Sequence, residues 1–397
     1  MAVTERAPRT RALAPSDLFA VDDLLGDDER LIRDTVRAFV RERALPLIPD
    51  HFEAGTFPRE LIPELAELGL LGMHLHGHGC AGASAMAYGV ASEELEAGDS
   101  GLRSFVSVQG SLAMFPISAY GSDEQKSRWL PEMAAGRAIG CFGLTEPDAG
   151  SDPSSMRTTA RRDGDDWIIN GTKMWITNGS MADVAVVWAT TDAGIRGFLV
   201  ERGMRGFTTS DVHNKLSLRA SVTSELSLDS VRVPDSAALP GVSGMRGPLS
   251  CLNEARFGIG WGVMGAARAC FESALEYSKT RHAFGKPIGA MQLTQQKLAN
   301  MATSIVQGRL LAHRLGQLKD LDRLHPVQVS ITKRANVRAA LDIARSARTI
   351  LGANGITLKY PVARHMANLE SVLTYEGTEE VHTLIIGKEL TGENAFG

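Results

Sequence analysis

From Asp27 to about Gly72 apolar residues recur at helical spacing: Leu31, Ile32, Val36, Phe39 and Val40 share one face, and Leu61, Leu65, Leu68 and Leu71 another. The same period runs through MAYGVASEELEAG and SDEQKSRWLPEMAAG, and in the latter Ser122 precedes Gln125 as a capping box. Residues 1–139 therefore read as an all-helical domain, with 1–27 as a flexible arm. The texture then changes. WIINGTKMWITNG, VAVVWATT, GFLVERG and SELSLDSVRVP are short, rich in β-branched and aromatic residues, and punctuated by Gly and Asn. Strands with no helices between them predict an antiparallel sheet or barrel over residues 140–246. Beyond it, helical segments of about 249–280, 290–318 and 327–351, and a shorter one after Thr378, predict a C-terminal four-helix bundle over 247–397. The fold class is α+β.

Composition narrows the classes. With 42 Lys+Arg against 46 Asp+Glu, the formal charge of -4 offers no electrostatic case for nucleic acid or an anionic membrane. Cys80, Cys141, Cys251 and Cys270 are widely spaced, without a C-x-x-C pair or zinc-type spacing, and read as free thiols in a reducing compartment. No metal site is predicted. The N-terminus lacks an apolar signal core and carries Glu5 early, so a cytoplasmic protein is expected.

Several strings invite a chemical reading. GHGCAG (77–82) fits G-x-G-x-x-G, but helical pattern precedes it and no βαβ unit surrounds it, so it reads as a glycine-rich loop. FGLTEPDAGSD (142–152) offers the hydroxyls of Thr145 and Ser151, and Gly150 for close backbone approach. In MWITNG (174–179), Trp175 could stack on a planar ring with Thr177 at its edge, or simply fill a core. RHAFGKPI (281–288) and LGANGI (351–356) are helix-ending loops suited to a pyrophosphate. In YEGT (375–378), Glu376 sits beside Gly377, whose missing Cβ permits close approach of backbone to a ligand. Arg103, in the apolar stretch GLRSFV, needs a partner if buried: Glu96 or Asp99 within the chain, or a ligand carboxylate.

Taken in order, FGLTEPDAGSD, MWITNG, TRHAFGKPI, ILGANGI and YEGT resemble the acyl-CoA dehydrogenase family of flavoenzymes over residues 28–397. DSGLRSFVSVQGSL, CLNEARFGIGWG and TYEGTEEVH look like its glutaryl-CoA dehydrogenase branch. The resemblance implies FAD. Phe142, Gly143, Leu144, Thr145, Gly150 and Ser151 then match positions along the flavin, and Trp175, Ile176 and Thr177 match the segment covering its ring. Arg281, Phe284 and Gln292, with Leu351, Gly352, Ala353 and Gly355, match the holders of the ADP half, partly across a subunit interface; Thr378, Glu380 and Phe396 match further FAD contacts. It also implies Glu376 as the base that takes the thioester α-proton, its own N–H helping to bind the thioester oxygen. For the substrate it implies Arg103 and Ser104 at a distal carboxylate, with Ser151, Cys251, Leu252, Asn253, Arg256, Phe257, Gly258, Tyr375 and Gly377 lining the way.

The expected reaction is oxidative decarboxylation of glutaryl-CoA to crotonyl-CoA, with electron-transferring flavoprotein as acceptor and a homotetrameric enzyme. Rivals are a dehydrogenase of another short acyl thioester on CoA or a carrier protein, a non-decarboxylating glutaryl enzyme, and a flavin oxidase or monooxygenase on the same fold. Leu102 and the pair Glu379 and Glu380 depart from relatives of the branch, the first beside the substrate arginine.

Overall fold

The structure, a computed structural model, describes residues 13–396. The first helical region holds α1 (Asp27–Phe39), α2 (Ile48–Ala54), α3 (Ile62–Glu67), α4 (Ala85–Gly98), α5 (Ser100–Ser107), α6 (Phe115–Tyr120) and α7 (Asp123–Ala134). Local chemistry fixes several ends. Three acidic residues open α1, where they face the positive end of the helix dipole. Ser84 caps α4, and the Asp320 carboxylate, from far along the chain, also accepts from the Ala85 and Met86 amides. The Ser122–Gln125 capping box of α7 is present in both directions. Asp99, in extended conformation, ends α4 and caps α5, so the two helices meet at one residue.

The strands are β1 (Gly140–Gly143), β2 (Thr159–Asp163), β3 (Asp166–Thr177), β4 (Val184–Thr191), β5 (Gly194–Glu201), β6 (Phe207–Asp211) and β7 (Thr223–Pro234). They form one sheet in the order β1-β4-β2-β3-β7-β6, with β5 along the other edge of β4. An antiparallel sheet was expected from the sequence, and β2–β3, β3–β7, β6–β7 and β4–β5 comply. Against that expectation, β4 runs parallel to β1 and, through Thr159 and Thr190, to β2. The long stretch 144–158 returns the chain from the end of β1 to the start of β2, and β3 then runs back between β2 and β4 in chain order, so β1, β2 and β4 point the same way.

The last region opens with the 35-residue α8 (Arg246–Thr280), followed by the two-residue strands β8 (His282–Ala283) and β9 (Lys286–Pro287). Then come α9 (Gln292–Asp320), α10 (Pro326–Leu351), α11 (Val362–Thr374) and α12 (Glu379–Thr391). The sequence reading did not mark α11, although Val362, Met366, Leu369 and Leu373 have helical spacing; they lie in or against the core of this region.

Three seams join the regions. Along α8, a Cβ added at Gly262 or Gly265 would overlap Glu96 or the Glu93 carbonyl, and one at Gly258 would lie 2.8 Å from the Tyr88 hydroxyl, so α8 touches α4 more closely than side chains allow. The loop before β7 docks on α11, where the Leu218 amide donates to Asn368 Oδ1 at 2.7 Å. Asn368 in turn donates to Asp99 at 2.9 Å. The expected flexible arm needs correction. Its first 12 residues lie outside the described ones, but Asp17 and Asp22 accept ion pairs from Arg309 of α9, and Val21 is buried.

Candidate active site

Between α11 and α12 the chain makes a tight turn, Tyr375–Gly377, before Thr378 caps α12 by accepting from the Val381 amide. Glu376 has φ 52° and Gly377 φ 91°. A non-glycine residue in this left-handed region costs about 1–3 kcal/mol and persists only where its surroundings hold it. Here they do. Lys333 Nζ, from α10, donates to the Tyr375 and Gly377 carbonyls at 2.5 Å each, and Arg256 Nε, from α8, donates to the Glu376 carbonyl at 2.8 Å. Three consecutive carbonyls are thus turned into the helical bundle. Gly377 is required by space as well as by φ, since a Cβ there would lie 2.9 Å from His382 Nε2.

Glu376 as a residue is half-buried, yet its Oε2 is shielded and has no hydrogen-bond partner. Burial pushes this carboxyl up from the ordinary carboxylate range, against the pull of Arg103, Lys333 and Arg256. Burial also lowers the Lys333 ammonium to about 7, with the Glu376 charge working the other way.

Arg103 is buried on α5. Its Nε donates to Glu96 Oε2 at 2.7 Å, an Nη2 hydrogen bond reaches the Tyr375 hydroxyl, and Nη1 is shielded with no partner. The Ser104 hydroxyl stands 3.4 Å from the Tyr375 hydroxyl. Burial alone would ease the proton off Arg103, but the Glu96 carboxylate more than offsets this and holds the guanidinium charged. Asp99, the other partner considered from sequence, is engaged by Arg364 and Asn368 instead. Tyr375 therefore links the two centres: Arg103 and Ser104 meet its hydroxyl, Lys333 its carbonyl, and Glu376 follows it in the chain.

The strings expected to face a flavin fall on β1, β3 and the loop between β1 and β2. Phe142 and Gly143 pair in parallel with Val186 and Val187. Lys173 is fully buried and donates to the Leu144 carbonyl at 3.0 Å and to Glu146 Oε1 at 2.8 Å, while Glu146 also accepts from the Arg157 and Thr158 amides. Thr145 accepts from the Met174 amide at 2.8 Å, so the Leu144–Glu146 segment is locked to β3. Gly150 has open space where a Cβ would be, and Ser151 is exposed. The β3–β7 register is interrupted between Lys173 and Ile176, so Trp175 lies in the irregularity, and Ile176 and Thr177 pair beyond it. Trp175 takes φ 64° and stays 58% exposed, whereas Ile176 is buried. A tryptophan held in a strained conformation with its ring in the open fits a surface made for a planar ligand.

Arg281 and Phe284 lie in the connector between α8 and α9, Phe284 with φ 52° and 96% exposure, and Gln292 opens α9. Leu351 ends α10; Gly352 to Gly355 form the following turn, with Gly352 at φ 60° and open space beside it. Asn354 Nδ2 donates to the Tyr277 hydroxyl at 3.0 Å, which ties this turn to the end of α8. Ala353 is exposed on that turn, as is Glu380 in the first turn of α12 and Phe396 beyond it.

The α8 residues divide. Arg256 and Asn253 face the Glu376 loop, Arg256 Nη1 lying 3.5 Å from Asn253 Oδ1. Gly258 passes Tyr88, and the Phe257 ring stacks 6.1 Å from the Tyr88 ring. Cys251 turns away: its thiol donates back to the Gly247 carbonyl within an apolar core, against which Leu252 also packs, and burial pushes its pKa up. Lys333, Lys173, Glu146 and His382 were not singled out from sequence. Lys333, Lys173 and His382 sit in ordinary helix or strand runs and Glu146 in the loop after β1, and only the fold brings them to the site.

The family profiles for the N-terminal, middle and C-terminal domains of acyl-CoA dehydrogenases match residues 26–137, 141–231 and 243–391. A rat mitochondrial short-chain specific acyl-CoA dehydrogenase (Rattus norvegicus) is 36% identical over 377 residues, 92% of this chain and 90% of that protein. A solved glutaryl-CoA dehydrogenase from Mycobacterium smegmatis is 63% identical with a TM-score of 0.96, over 97% of this chain and 100% of the other. A glutaryl-CoA dehydrogenase from the same organism in complex with FADH2 is 61% identical, with the same TM-score of 0.96 and the same coverage of 97% and 100%. With profiles spanning nearly its whole length, this chain belongs to the acyl-CoA dehydrogenase family.

Proposed function

We propose that this FAD-dependent acyl-CoA dehydrogenase oxidatively decarboxylates glutaryl-CoA to crotonyl-CoA and CO2. The carrying observation is the Arg103 guanidinium: buried, held by Glu96 on one edge and Tyr375 on another, with Nη1 left without a partner. A buried donor on a charged group is costly unless something accepts from it, and a distal carboxylate does so with charge assistance. A plain fatty acyl chain has nothing to offer there. The glutaryl-CoA dehydrogenases of Mycobacterium smegmatis at 61–63% identity support the same substrate.

In this reading the unpartnered Oε2 of Glu376 takes the proton from C2 of the acyl chain, and its raised pKa makes it a base suited to near-neutral pH. The Glu376 N–H donates to the thioester oxygen as negative charge develops there. Trp175 and Thr177, the β1 end from Phe142 to Thr145, and the Arg281–Gln292 and Gly352–Gly355 segments hold FAD, which when bound supplies the acceptor for the C3 hydride. The C4–carboxylate bond of the resulting enoyl thioester then breaks, its electron pair moving toward the thioester carbonyl, and Glu376 returns its proton to C4. Arg103, relieved of the departing CO2, keeps Glu96 and Tyr375. Electron-transferring flavoprotein as the acceptor and a homotetramer complete the proposal, the latter supported by the exposed Phe284 ring.

Anaerobic bleaching of the flavin by glutaryl-CoA beside butyryl-CoA, with CO2 collected, tests this. Glutaryl-CoA is expected to bleach faster and release CO2, and Arg103→Ala to lose about 10²-fold with glutaryl-CoA while butyryl-CoA changes little, the size of one lost buried charge contact. Equal bleaching by butyryl-CoA in the native enzyme sinks the substrate assignment.

A further inference from the structure

Lys333 has no role in the readings above, yet it is among the largest fully buried side chains, beneath the turn that carries Glu376. Its ammonium spans that turn, donating to the carbonyls on either side of Glu376. In a trans peptide the N–H points opposite to the C=O of the same plane, and this chain has no cis peptide bond among its described residues. A Tyr375 carbonyl turned toward α10 therefore sends the Glu376 N–H away from α10. No acceptor among the described residues takes that N–H. Nothing local favours such a turn, since Glu376 is a non-glycine residue at φ 52°.

We propose that Lys333 is a positioning residue for the reaction: by clamping the Tyr375 and Gly377 carbonyls it holds Glu376 left-handed, with its amide aimed outward as the donor for the thioester oxygen. The proposal rests on the reading of Glu376 as base and oxyanion donor. Arg256 acts alongside on the Glu376 carbonyl, but a single bond to the middle carbonyl leaves the peptide plane before Glu376 free to turn. Lys333 also places a positive charge near the carboxylate. The groups facing Glu376 are Lys333 from α10, Arg256 from α8, Arg103 from α5, Glu96 from α4, His382 from α12, and the neighbouring Tyr375. Burial keeps His382 neutral, at about 3, so below about pH 7, where Lys333 is protonated, the cations are Lys333, Arg256 and Arg103.

The test uses the FAD-loaded full chain carrying Lys333→Met or Lys333→Arg, with anaerobic bleaching by glutaryl-CoA measured across the neutral pH range. Lys333→Met is expected to hold FAD and to half-saturate near the native acyl-CoA concentration. It should bleach about 10–10²-fold more slowly, somewhat less than outright loss of an oxyanion donor. Its acid limb should move to higher pH, because Glu376 has lost a neighbouring cation. Lys333→Arg keeps the charge but not the two-carbonyl clamp, so it should be slowed with its acid limb in the native place; it also serves if the Met variant does not fold. A residue that merely filled space would lower thermal stability and leave the limb where it was. Native bleaching rates in both variants overturn the proposal while leaving the base in place. Native bleaching by Glu376→Gln instead overturns the reading beneath it.

Discussion

Arg309 and Arg103 are both buried arginines surrounded by charge, and their surroundings end differently. Arg309 meets Asp17, Asp22 and Glu93, and Glu93 lies 3.7 Å from Arg268, which with Arg37 also holds Glu94. The atoms in that cluster that lack a formal hydrogen bond, Glu93 Oε1, Arg268 Nε and Arg309 Nε, still lie in ion pairs with each other. At the other centre Arg103 Nη1 and Glu376 Oε2 have neither hydrogen bond nor ion pair among the described residues. A closed network of buried charge holds helices and the segment before α1 together. An open one keeps a donor and an acceptor in reserve for something that arrives.

Breaking the open cluster should cost rate. Glu376→Gln keeps the shape of the base and is expected to hold FAD and bind acyl-CoA while bleaching falls about 10²–10⁴-fold, the range for loss of a general base. Breaking the closed cluster should cost stability. Arg309→Met takes a cation from Asp17, Asp22 and Glu93, leaving Asp22 to Arg33 and Glu93 to the more distant Arg268, and is expected to lower unfolding free energy by about 3–5 kcal/mol, read from denaturant melts, with the bleaching rate per folded enzyme unchanged. A lowered rate in Arg309→Met would dissolve the distinction between the two clusters.

Acid sharpens it more gently. Glu376 acts only when ionised and its pKa is raised, so bleaching should fall up to tenfold per pH unit once pH drops through a value above the free carboxylate range of about 4.3. Glu94 behaves oppositely: burial works upward, but Arg268 and Arg37 hold its pKa below the ordinary one. Over that acid limb Glu94 stays ionised and keeps Arg268 and Arg37, while protonation of Glu376, whose pKa is raised, relieves a buried charge, so a melt at the same pH values should show no loss of stability where the rate falls.

Much of this was legible in the sequence. The helical period of α8 and α10, the Ser122 cap and the strand texture from residue 166 to 234 are local properties, and local properties survive folding. So do the strings around Glu376 and Trp175, because a strained turn or bulge needs its glycine or its particular neighbours at fixed offsets. The partner of Arg103 could not be decided, because Glu96 and Asp99 lie on the same stretch of chain and only α11, bringing Arg364 and Asn368 to Asp99, frees Glu96 for Arg103. Lys333 was invisible for a related reason. Its neighbours in SITKRANV announce an ordinary amphipathic helix, and its partners lie 42 and 44 residues onward. The parallel pairing of β1 with β4 depends likewise on where long loops return.

The glycine-faced contact between α8 and α4 has a consequence for how the chain folds. Gly258, Gly260, Gly262 and Gly265 crowd two turns of α8, and each weakens an isolated helix by about 1 kcal/mol relative to alanine. That stretch is a poor helix until α4 lies against it, and α4 is separated from it in sequence by the whole sheet. The two helical regions should therefore fold as one cooperative unit, with the strands as an insertion, and their slowest-exchanging amides should be shared between α4 and α8. A chain that looks like three beads in its sequence is held by a contact that skips the middle one.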